Sequence, residues 1–156
     1  MKHTQQQWLS AVPWESVITI NQALCQAQKV EHLVNPATFG STRAMWERAA
    51  ARPMNLKDVL DVCRECHQLG PFTFNNGNTF AAIGRTLVEE WLRLMPPVEA
   101  QVIRNTIGHY IAGLVGRKEL ISVLSHFEAS WKPEMAVAAP AVAASLSQLE
   151  SQQARA

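Results

Sequence analysis

Apolar residues return along this chain every three or four positions, and proline, glycine and asparagine break the rhythm at intervals. That period marks helices with one buried face. Residues 1–12 are polar around Trp8 and read as a short helix or a docked arm. Pro13 suits a first helical turn, where its missing N–H costs nothing. Trp14, Val17, Ile18, Ala23, Leu24 and Cys25 then carry a helix to residue 28. Asn35-Pro36 signals a turn. Gly40-Ser41-Thr42 opens a second helix with Met45, Trp46, Ala49 and Ala50 inward, and Pro53 ends it. In the third, Asn55 is placed to cap and Asp58 to complement the helix dipole. Leu56, Val59, Leu60, Cys63, Cys66 and His67 keep helical spacing until Gly70-Pro71 stops it.

The clearest periodicity follows. Phe80, Ile83, Gly84, Leu87, Val88, Trp91, Leu92 and Met95 predict one long helix, with Arg85, Glu89, Glu90 and Arg93 on its other side. Pro97 opens the next, through Val102, Ile103, Thr106, Ile107, Tyr110, Ile111 and Leu114, and Gly116 closes it. Leu120, Ile121, Leu124, Phe127 and Trp131 mark the last. No alternating β-branched run is long enough for a sheet. The expectation is an all-α protein: one bundle-like, orthogonal domain of about six helices over residues 1–131. Residues 132–156 turn to Ala, Val, Pro, Ser and Gln. They offer little apolar area against the entropy of ordering, so a disordered tail is expected, with a weak helix near residues 141–153.

Composition narrows the function classes. The 156 residues are 47% hydrophobic but only 17% charged, with a net charge of +1. No bulk field exists to hold nucleic acid, and the basic residues are scattered. No apolar run approaches the roughly 20 residues of a membrane span, and the N-terminus lacks the pattern of a signal peptide. Three cysteines form no disulfide framework, so the reducing cytoplasm is the expected setting.

Two stretches carry candidate chemistry. Residues 69–80, Leu69-Gly70-Pro71-Phe72-Thr73-Phe74-Asn75-Asn76-Gly77-Asn78-Thr79-Phe80, are the only run dense in residues chosen for backbone conformation. Asn75, Asn76, Gly77, Asn78 and Thr79 lead into a helix N-terminus, where free N–H groups and the dipole favour an anion such as a phosphate. The same residues also make a plain helix cap: Asn78 or Thr79 capping, Gly77 at positive φ, and Phe72, Phe74 and Phe80 as anchors. Cys63-Arg64-Glu65-Cys66-His67 matches the c-type haem attachment pattern, and its thiols and imidazole are candidate metal ligands. Its place mid-helix on the apolar face reads equally as two small core residues and a hydrogen-bonded histidine.

Helix, aromatic-Gly-Asn loop, helix resembles the Fic/Doc family, whose signature is His-Pro-Phe-x-(Asp/Glu)-Gly-Asn-(Gly/Lys)-Arg between core helices. Phe74, Gly77 and Asn78 match, and the helix order is similar over about residues 40–128. The resemblance implies a helical fold and nucleotidyl or phosphoryl transfer. Here, however, Phe72 stands where the family's basic histidine falls, Asn76 at its acidic position, and Phe80 and Ile83 at its arginines, with Arg85 two residues further on. A phenyl ring cannot accept a proton. The reading is therefore a non-catalytic interaction or regulatory module without catalytic residues or cofactor. Its partner is another protein, and a phosphate-bearing or nucleotide ligand is placed at residues 75–79. Fic-like transfer, and a metal or haem protein through Cys63, Cys66 and His67, are the alternatives.

Overall fold

A computed structural model describes residues 5–130 of the chain, with side chains described as far as His126. Within them a 3-10 turn, Trp8–Ala11, precedes seven α-helices: α1 (Trp14–Ala27), α2 (Phe39–Ala50), α3 (Leu56–Leu69), α4 (Asn76–Leu87), α5 (Glu89–Leu92), α6 (Pro97–Ile111) and α7 (Arg117–Ser130). No sheet forms among the described residues. Two isolated bridges, Gln6 to Met54 and Val34 to Phe72, are the only extended pairings there. The protein is all-α, as its periodicity requires. The expected tail lies outside the described residues, as do the side chains of Phe127 and Trp131.

Helix α4 is central, packing most extensively on α6 and α3 and also on α1. Gly84 allows that approach. A Cβ there would sit 2.5 Å from Ile111 Cδ1 and 3.3 Å from both Ile107 and Leu60. Phe80, Ile83, Leu87, Leu60, Ile107 and Ile111 are buried around this contact, in one core that runs from Trp8 to Leu124. The N-terminal segment is a docked arm. Gln6 and Met54 exchange backbone hydrogen bonds, and Trp46 Nε1 donates to Val12 O at 2.8 Å. Trp14 stacks on Phe72 and meets Phe39 edge-on, which ties α1 and α2 to the segment after α3.

The α3 caps form as expected. Asn55 Oδ1 accepts from Asp58 N at 2.9 Å, and Gly70 closes the helix in the left-handed conformation at φ 63°. Three boundaries differ from expectation. The long helix divides at Val88, where Thr86 Oγ1 donates back to Ala82 O and the Val88 N–H reaches Arg85 O. Such back-bonding loosens the helical ladder. Helix α5 then restarts at Glu89, which holds Arg104 of α6 through two hydrogen bonds of 2.9 and 3.0 Å. Helix α6 ends three residues early, because Gly113 (φ 84°), not Gly116, takes the left-handed position. Leu114 consequently lies outside the helix, 74% exposed.

Candidate functional site

The loop between α3 and α4 is fixed from three sides. Its outer edge pairs with residues 33–35, with Thr73 N donating to Leu33 O and Asn35 N to Pro71 O, at 2.9 and 2.8 Å. Asn35 Nδ2 and Thr38 Oγ1 both donate to Gly70 O. Its own ends are clipped by Asn76, whose Oδ1 accepts from Phe72 N and whose Nδ2 donates to Phe72 O, at 3.0 and 2.7 Å. A carboxylate at position 76 could not make the second bond, since it has no donor.

Below the loop lies Asn21 of α1, fully buried. Its Nδ2 donates to Phe74 O at 2.7 Å and to Thr79 Oγ1 at 3.1 Å. Its Oδ1 faces His32 Nδ1 at 2.8 Å and the Cys25 thiol at 3.6 Å. Because Nδ2 is committed to two acceptors, Oδ1 is the acceptor here and His32 carries its proton on Nδ1. Burial lowers the His32 pKa from 6.5. The sequence reading passed over Asn21 and His32. The signal for Asn21 was its register with Val17 and Leu24, which puts an amide on a buried face.

Each expected site residue has a definite place. Asn75, not Gly77, supplies the positive φ (65°) and stands at the N-cap of α4. Asparagine tolerates that conformation better than other residues with a Cβ. Helix α4 thus begins earlier than an Asn78 or Thr79 cap would allow. Asn75 Nδ2 donates to Cys25 Sγ, and Asn75 Oδ1 accepts from the exposed Asn78 amide at 3.0 Å. Gly77 lies inside the first turn, where a Cβ would be 3.3 Å from His67 Nε2. Thr79 is buried on Asn21. The N–H groups of Asn76, Gly77 and Asn78 lie ahead of the first helical bond, which Thr79 N makes to Asn75 O at 2.9 Å. Phe72 and Phe80 are core residues, whereas Phe74 is 44% exposed and is held by its carbonyl, not its ring.

Cys63 and Cys66 both point into the core and are fully buried. Burial pushes the Cys63 thiol up to about 12, and burial with the neighbouring Cys63 raises Cys66 as well. Thiolates, the form that binds metals, are disfavoured there. His67 Nδ1 is engaged by Ile111 O at 2.8 Å. Among the described residues no group of three or more His, Cys, Asp or Glu is placed to hold a metal ion.

The surface offers two hollows of different character. One, of about 330 Å³, is bordered by Arg52, Asp58, Asp61 and Glu65. The other, of about 410 Å³, is a groove between α6 and α7. Met95, Val98, Val102 and Val123 form its walls over Ile103, with Glu99 and His126 at its polar edges. Val98 and Val102 are 78% and 49% exposed, and Leu94 beside them 71%. The sequence reading had placed Val102 among the inward positions of its helix. No described helix is long and apolar enough to cross a membrane.

Fold and site together define the class: an all-α domain whose central inter-helix loop is locked by asparagines. Comparison with family models, with curated proteins and with solved structures finds no match.

Proposed function

We propose that this chain is a non-catalytic protein-interaction module, and that its contact surface is the α6–α7 groove. One observation carries the reading. The groups able to do chemistry near the loop are buried or spent on internal hydrogen bonds, while Leu94, Val98 and Val102 are left in water. Exposed aliphatic residues gathered on one groove mark a contact surface. The partner segment it fits is a short amphipathic helix offering two or three aliphatic side chains. Three free thiols suit a reducing compartment such as the cytoplasm.

A photo-cross-linking residue at Val98, compared with one at the exposed Arg48, tests this in cells. A protein identified at position 98 alone should bind the purified chain and lose affinity with Val102→Asp. Equal capture at both positions, or purified binding indifferent to Val102→Asp, would sink the reading.

A second reading keeps an anionic or nucleotide ligand at residues 75–79, supported by the uncommitted N–H groups of Asn76, Gly77 and Asn78. Titration calorimetry with phosphate and nucleotides tests it, and no heat at millimolar ligand would end it. Fic-like transfer draws no support from the geometry. Phe72 and Phe80 are packed in the core, and His67 is tied to Ile111 O.

A further inference from the structure

We propose that the α6–α7 groove is occupied by the chain's own C-terminal segment, within the same molecule, so that a partner must displace it. Three observations meet at the groove. First, α7 lines it with Val123 and His126 and ends at Ser130, so the chain leaves the helix about 6 Å beyond the groove's edge. Secondly, residues 135–149 contain no charged side chain, and Val142, Leu146 and Leu149 recur at i, i+4 and i+7. That spacing puts three aliphatic side chains on one helical face, which is what Val98, Val102 and Val123 would accept. Thirdly, residues 131–141 between Ser130 and Val142 form a tether with a span of roughly 20 Å, enough to return to the groove without strain.

Tethering also decides between this occupant and a second copy. A short flexible linker gives an effective concentration on the order of millimolar. A weak apolar contact therefore fills within one chain before it forms between chains at micromolar concentration. The regulatory consequence rests on the groove being the partner surface; the occupancy itself does not.

The experiment uses the full chain carrying Ala144→Cys with a nitroxide, on the side of the segment away from Val142, Leu146 and Leu149. The native thiols are buried and leave the label its single target. The methyl signals of Val98, Val102 and Val123 should lose most of their intensity, while those of Val17 and Val59 stay sharp. Leu146→Asp with Leu149→Asp should restore them, with an unchanged far-UV spectrum. Intact groove signals in the labelled chain would overturn the proposal. So would broadening that appears only when labelled and unlabelled copies are mixed, since that assigns the groove to a second copy. With the double aspartate variant, cross-linking to a partner at Val98 should rise. If it does not while the label result holds, occupancy stands and the partner reading of the groove fails.

Discussion

At the scale of single residues, Asn21 holds most of the polar order beneath the loop. Replacing it with leucine keeps the volume but strands Phe74 O, Thr79 Oγ1 and the His32 N–H. A buried polar group left unpaired costs about 1–3 kcal/mol, so Asn21→Leu should lower stability by roughly 3 kcal/mol in urea denaturation. His32 adds a pH dependence of definite sign. Its folded pKa lies below 6.5 because burial opposes the charge, and the unfolded chain therefore binds the proton more readily. Stability is complete above 6.5 and falls as the pH drops from there through the folded value. Urea midpoints at about pH 7.5 and about pH 5.5 should differ in that direction, and His32→Gln should reduce the difference. The thiols make a third expectation. With all three cysteines buried, Ellman's reagent should find almost no reactive thiol in the native protein and three after unfolding. Rapid native reaction at Cys63 or Cys66 would restore the metal reading.

At the scale of elements, the closest contact is the one where Gly84 lets α4 lie on α6. Alanine would gain helix propensity and lose packing, two effects that nearly offset. Valine adds branches toward Ile107, Leu60 and Ile111 and has no such compensation. Gly84→Val should cost about 2–3 kcal/mol, read as a shifted denaturation midpoint with an unchanged slope. A stability equal to the parent would mean that α4 and α6 are not in this contact. The loop itself was only half legible. Gly70-Pro71 announced the end of α3 because a left-handed cap and a proline act locally. The start of α4 did not follow local preference. Asn76 reaches back to the Phe72 backbone, and that clip lets the helix begin before Gly77.

At the scale of the whole molecule, one core joins the N-terminal arm to α7, with Trp8, Trp14, Trp46 and Trp91 all buried in it. Such a core should unfold as one unit. Tryptophan emission and far-UV circular dichroism should trace the same urea transition. Two separated midpoints would show that the arm and α2 melt apart from α3, α4 and α6.

The sequence by itself determined that the protein is helical, where most helices stop, and that position 72 holds no base. Periodicity, caps and side-chain chemistry are local, and each can be read from a few neighbouring residues. Only the tertiary structure decided that Asn21, more than fifty residues from the loop, supports it, and that Phe74 turns outward while Phe72 and Phe80 turn in. It also decided that Val102 faces a groove. An amphipathic helix has room for more apolar positions than its neighbours can cover, and which of them stay in water depends on where those neighbours lie.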